Sequence, residues 1–567
     1  MLWLLLVPFS TVVGQTQSVD FSWDNATVYR VLTDRFSSGD KDNNTAYGRG
    51  LDGSGSSYDV DSLGHFLGGD FVGLTGWLDD GYFDDLGVNV LWLSSPVEQV
   101  QGWVGGGSGE YQKYGFDGTL PLDFTELDKA LGTKEEFKTL VDSAHRKGMR
   151  VIIDVQLNHV GYATLNDMSS FGFGSISSED WRSWRPSSKT GWQSYNDRFI
   201  VRNDSAQAWA KWWGPNWIRA NLPGYTSCGE TENSGCLDVL PDLRDDVEAN
   251  QIPSFLELKW GADKLASEKQ ALDAYFSATG YQRTGANHVV KWLSDLVREF
   301  GIDGFVVHQS KYVSSDLVKR LKEQASQAYA KWNASQAGDA SASASATFLF
   351  YAADQAVSDV SLGFDATGNV ISKDVFANQL DSFFTEKANA LKKSSPVRQF
   401  STVSSLESGI YTNADKADIL TKLLLTPGNV VLLYGDESGR KPLKNAPDVV
   451  SSSTSFMNWA DFDENLFEHI KKVGAFRKAH PAISAGGHDQ IQEAPYAFYR
   501  GVRVGMGEDE VVVVMGASGK TRLNVSIVWP DDTVLRDAYT GNVAIVSFGQ
   551  VTFTAAPSGI LLLEEVK

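Results

Sequence analysis

Two carboxyl groups facing each other about 5–5.5 Å apart can divide nucleophilic and acid–base work between them. Glu407 with Asp354 or Asp117 are the acids that could form such a pair, and their spacing makes no pairing obvious. Asp354 follows Ala353 by one residue, and strand alternation turns the two to opposite faces. The apolar run Gly304–Val307 leads into His308, with Lys311 and Tyr312 close behind. Cys228 and Cys236 are the only cysteines and flank a Gly/Ser/Thr/Asn-rich loop, Cys228-Gly-Glu-Thr-Glu-Asn-Ser-Gly-Cys236. A loop-closing disulfide is the natural reading in an oxidising compartment. A metal pair is the alternative, but no nearby His or Cys completes a set. The Gly-rich stretch 105–109 lacks the Gly-Lys-Ser/Thr that a phosphate loop requires.

The elements that position these groups follow from hydrophobic periodicity. Strand-like runs alternate with amphipathic helices from about residue 28 to residue 480, the signature of a parallel sheet with helical crossovers. Strands are expected at 28–34, 88–93, 150–154, 304–307, 348–351, 399–403 and 430–434. The helix at 134–147 carries Phe137, Leu140, Val141 and Ala144 on one face, and further helices are expected at 289–300 and 314–332. The stretch from Asn158 to about Pro253 is irregular, Trp-rich and too long for an ordinary connection. Residues 335–347 are Ala/Ser-rich and read as a surface loop. Beyond Pro481 the pattern changes to short strands at 511–515, 523–528, 543–548 and 560–563, as in a β-sandwich. The expected fold is α/β: a (β/α)8 TIM barrel from 15–157 and 254–485, an inserted loop domain at 158–253 after strand 3, and a C-terminal all-β domain at 486–567.

Composition narrows the function classes. With 50 Lys+Arg against 71 Asp+Glu, the net charge of −21 disfavours nucleic acid and anionic membrane as partners. Aromatic residues reach 12%, with 17 Trp; such faces line sugar clefts, although most rings serve as core. Residues 1–14 are a short apolar segment ending in small residues, expected to be a cleavable signal peptide. No later stretch reaches the ~20 apolar residues of a membrane span. The expected product is secreted, and Asn25, Asn43, Asn203, Asn333 and Asn524 each begin a glycosylation sequon.

The motifs Leu32-Thr-Asp-Arg-Phe36, Gly69-Asp-Phe-Val-Gly-Leu74, Leu86-Gly-Val-Asn-Val-Leu-Trp92, Gly102-Trp-Val-Gly-Gly-Gly107, Asp154-Val-Gln-Leu-Asn-His159, Leu240-Pro-Asp-Leu243, Tyr434-Gly-Asp-Glu437 and Arg477-Lys-Ala-His-Pro-Ala-Ile483 occur in this order. In order and spacing the chain resembles the α-amylase superfamily of glycoside hydrolases (family 13), especially its secreted bacterial periplasmic type. The resemblance runs from about Val28 to the C-terminus. It implies a nucleophile at His308, its supporting arginine at Val306, the acid/base at Ala353, and a histidine–aspartate pair at Leu406 and Glu407. The tyrosine platform falls on Thr119. Among retained positions it implies sugar contacts from His159 and Lys311, and a structural Ca2+ held by Asn158, Asp242 and Tyr312.

Five replaced positions within a retained frame favour a catalytically silent homologue that binds an α-glucan or another protein, because each such group is worth orders of magnitude in rate. The alternative is an active α-glucan hydrolase working through rearranged carboxylates. A third reading follows the silent, protein-binding barrels of amino-acid transporter heavy chains. It ranks lower, because this chain shows neither an uncleaved membrane anchor nor a basic cytoplasmic segment.

Overall fold

The computed structural model describes residues 21–566 apart from 24, 52–55, 57, 60, 238–239, 337–346, 353–360, 363–398, 413 and 505–506. The expected leader at 1–14, Ala353, Asp354 and nearly all of the 335–347 stretch therefore lie outside the described residues.

Eight parallel strands form one sheet: β1 Thr27–Val31, β2 Val90–Leu93, β3 Arg150–Gln156, β4 Gly304–His308, β5 Leu349–Ala352, β6 Ser361–Leu362, β7 Gln399–Thr402 and β8 Asn429–Leu433. Their order is 5-4-3-2-1-8-7-6, that of a (β/α)8 barrel laid open between β5 and β6. Buried on both faces, the strands read as continuous apolar runs rather than alternating ones. Two layers of core result. Val28, Val90, Trp92, Ile152, Val306, Tyr351, Phe400 and Val431 fill the interior, and a larger cluster lies between strands and helices. At Gly304 the strands approach so closely that a Cβ would stand 2.7 Å from the Leu349 Cβ and 2.9 Å from the Ile152 Cγ2. A side chain there would push β4, and with it His308, out of register.

The helices start where their caps dictate. Lys134–Arg146 (α1) begins at Thr133, whose side chain accepts from the Glu136 N–H while Glu136 reaches back, closing a capping box. It buries Phe137, Leu140, Val141 and Ala144, the face that the periodicity predicts. The long helix Ser254–Thr279 (α2), absent from the sequence expectations, breaks at Gly261, φ 70°. Gly285–Phe300 (α3) is capped by Thr284, and Ser315–Ser335 (α4) by Ser314.

The 158–253 excursion holds little regular structure, and most of its tryptophans are core, with Trp184 and Trp192 half-buried against it. Trp209, Trp212, Trp213 and Trp217 are all buried. Trp212 stacks on Phe255 at 4.3 Å, and the Trp213 indole donates to the Gly161 carbonyl at 2.8 Å. A disulfide joins Cys228 to Cys236.

The C-terminal region departs from the expected strands. β9 Gly487–Gln492, β10 Tyr496–Val504, β11 Gly507–Met515, β13 Val534–Asp537, β14 Val543–Ile545 and β16 Leu561–Glu565 form one antiparallel sheet. β12 Lys520–Asn524 and β15 Gln550–Thr554 form a separate ribbon. Val512, Val514, Leu523, Leu535, Phe553 and Leu561 pack between the two. The strands expected at 523–528 and 543–548 are displaced or shortened, because residues 525–529 turn back on themselves and Phe548 takes a left-handed φ of 53°. No helix among the described residues is long and apolar enough to cross a membrane.

Candidate active site

The register places Asp154 beside Val306, and Val306 beside Tyr351, at the C-terminal ends of β3, β4 and β5, where this type of barrel carries its chemistry. His308 ends β4. Its Nε2 lies 2.7 Å from Asp154 Oδ1, and the Trp92 indole donates to the same oxygen at 2.6 Å. Burial works against the imidazolium, but the Asp154 carboxylate outweighs it and raises the His308 pKa above its ordinary value. Val306 is 3% exposed and packs into the barrel interior, so no arginine from β4 reaches the mouth.

Another arginine does. Arg30, inside β1, forms a two-pronged bond with Glu407, Nη1 to Oε2 and Nη2 to Oε1, both at 2.9 Å. Its guanidinium also lies over the Trp92 ring at 4.3 Å. Burial alone would raise the Glu407 carboxyl, yet the Arg30 charge and hydrogen bonds hold it down at about 2. Leu406, in the histidine position, is buried. Asp117 is paired with Lys113 at 2.8 Å and accepts from the Thr119 hydroxyl at 2.6 Å. Burial is again outweighed, and its carboxyl falls below the usual range. Thr119 thus braces Asp117 and offers no ring.

His159 is fully buried. Its Nε2 lies 2.9 Å from the Thr119 carbonyl, and burial pushes its pKa down to about 4. It braces the loop after β3 and exposes no ring edge, which differs from the sugar contact expected of it. Lys311 is exposed, its ammonium 5.0 Å from the Tyr312 ring centroid. Of the sequons, Asn203 and Asn524 are exposed, and Asn25, Asn43 and Asn333 are half-buried. Sequence reading missed Arg30, Trp92 and Lys113. The one available signal was a charge in the middle of the apolar run Val28-Tyr-Arg-Val31, where it must find a partner.

The residues expected to hold Ca2+ do converge. The Asn158 amide donates to the Tyr312 carbonyl at 3.1 Å, leaving Asn158 Oδ1 buried without a hydrogen-bond partner. Both residues line a cavity of about 180 Å³ with Asp242, Asp245 and Asp246. The oxygens are of the right type, but the charge is not available. Asp242 is bound by Arg219, which also reaches Asp246 at 2.8 Å. Among the described residues no group of three or more His, Cys, Asp and Glu forms a metal-sized cluster. As arranged, the site does not fit a divalent cation.

Comparisons with known proteins agree with this geometry. Residues 30–214 match the alpha amylase catalytic domain. The chain is 36% identical over 520 residues to the periplasmic alpha-amylase of Escherichia coli (strain K12), covering 88% of this chain and 73% of that protein. The cyclomaltodextrin glucanotransferase of Geobacillus stearothermophilus is 35% identical, but over 151 residues and 20% of its length. Among solved structures, an Anoxybacillus alpha-amylase superposes with a TM-score of 0.56 at 17% identity, covering 97% of this chain and 100% of that one. A barrel of this strand order, whose sequence aligns with a periplasmic alpha-amylase over 88% of its length, belongs to the α-amylase family.

Proposed function

We propose that this chain is a secreted α-amylase homologue that binds α-glucan without hydrolysing it. The observation that carries this reading is that each described carboxylate at the barrel mouth is already committed. Asp154 is capped by His308 and Trp92, Glu407 by Arg30, and Asp117 by Lys113 and Thr119. Retaining hydrolysis needs one carboxylate free to attack and one carboxylic acid still protonated near neutral pH. A Glu407 carboxyl at about 2 has no proton to give there. Glu98 is pushed up to about 7, but it is 2% exposed and bound to Lys259, away from any substrate. At the acid/base position the chain carries Ala353, which has no proton to transfer. Secretion is supported by the apolar segment at 1–14 and by the periplasmic location in the name of the Escherichia coli relative.

The test pairs two measurements on the purified full-length protein. Starch and maltooligosaccharides are assayed for new reducing ends, and the same sugars are titrated by calorimetry. Binding without turnover is expected. Turnover that disappears in Glu407→Gln overturns the silent reading in favour of a rearranged hydrolase. Absence of both binding and turnover replaces the glucan with a protein partner.

A further inference from the structure

We propose that the Arg219 guanidinium is a built-in cation that pins together the base of the 158–253 excursion in place of a divalent metal ion. Arg219 lies in the two-residue strand Ile218–Arg219, paired antiparallel with Asp242–Leu243. One arm of its fork binds the Asp242 carboxylate and the other reaches Asp246. The main chain beside Asp242 is in turn fixed to the start of the excursion, just after β3: His159 forms a β-bridge with Asp242, and the Leu243 N–H donates to the Asn158 carbonyl at 2.8 Å. A second guanidinium, Arg320 on α4, binds Asp245, which also accepts from Thr284 and Ser314 at 3.2 Å. A third, Arg244, binds Asp246 at 2.9 and 3.0 Å.

Three carboxylates line the cavity and three guanidiniums hold them, so no negative charge is left to draw a divalent ion in. The Arg219 side chain is 11% exposed and its Asp242 partner 4%, so the pair is shielded from solvent and salt. The planar fork binds Asp242 with one arm and Asp246 with the other, a fixed geometry that a single ammonium does not reproduce. The disulfide Sγ of Cys236 lies 3.4 Å from the Arg219 carbonyl oxygen, so the disulfide loop closes over the same strand.

The full-length protein, purified without added metal, is analysed for metal content and melted by scanning fluorimetry in EDTA and in millimolar CaCl2. Wild type should carry no stoichiometric metal and melt within about 1 °C in both buffers. Arg219→Gln should melt about 2–4 °C lower in EDTA and be cut faster by protease within 158–253. CaCl2 should restore it, because Asp242 and Asp246 are then free to hold the ion. Arg219→Lys, which keeps the charge and loses the fork, should also fall in EDTA. Stoichiometric calcium in wild type with a melting temperature lowered by EDTA overturns the proposal, and needs no variant to be folded. Melting of both variants at the wild-type temperature in EDTA overturns it as well.

Discussion

His480 joins the barrel to the C-terminal sheet, and its titration should be visible in stability. It follows the helix Glu464–Ala479 (α5), and its Nδ1 lies 2.7 Å from Asp509 on β11 and its Nε2 2.7 Å from Glu564 on β16. Arg536 on β13 holds the far side of Glu564, and the Ala482 N–H donates to Asp509. Burial opposes the charged imidazole, but two carboxylates outweigh it and push the pKa up to about 9 from 6.5. A raised folded-state pKa means that the stabilisation is complete below pH 6.5 and is lost as pH rises through about 9. At 1.36 kcal/mol per pH unit the gap is worth about 3 kcal/mol. His480 and both partners are less than a fifth exposed, so screening removes little of it. Urea unfolding of wild type and His480→Gln at pH 6 and pH 10 measures it. Wild type should lose about 3 kcal/mol more than the variant between the two pH values, in the transition that reports the C-terminal sheet. Equal losses in wild type and variant would refute the reasoning.

Three further outcomes follow from the same kind of argument. His159 has its pKa lowered to about 4 by burial, so its contribution is complete above pH 6.5 and lost as pH falls toward 4; hydrogen exchange of the loop after β3 should quicken over that range in wild type and be flat in His159→Gln. Glu407→Gln takes the paired carboxylate from the buried Arg30, with Asp154 still nearby, and because Glu407 is 46% exposed should cost about 1 kcal/mol in chemical denaturation, whereas a neutral result would place the Arg30 charge in solvent. Cys228→Ser opens a loop of eight-residue separation and should cost about 2–3 kcal/mol, measured as faster proteolysis of the excursion.

Much of the barrel was legible because parallel strands buried on both faces need long apolar runs, and helices such as α1 announce themselves by cap and stripe. Strand ends in the C-terminal sheet were less legible: the 525–529 turn and the segment after the left-handed Phe548 meet where Gly549 closely approaches Ser526, which no local pattern records. At the mouth, the absence of a carboxylate at 308 and of an arginine at 306 could be read directly. The arrival of Arg30 opposite Glu407 could not, because the two lie 377 residues apart and are joined only by the closing of the sheet. The tryptophans of the excursion could be placed only as a class, mostly core, since a ring that stacks on Phe255 looks the same in sequence as one that stacks on sugar.

The pairing of Asp154 with His308 couples any substitution at 308 to one at 306. Replacing His308 with aspartate alone would set a second carboxylate against Asp154 with Val306 still beside them, and two acids so placed share a proton rather than both ionise. Restoring the arginine alone would add a cation next to an imidazolium that already occupies the available anion. Each substitution is unfavourable until the other is present, so positions 306 and 308 are energetically coupled and can be changed only as a pair.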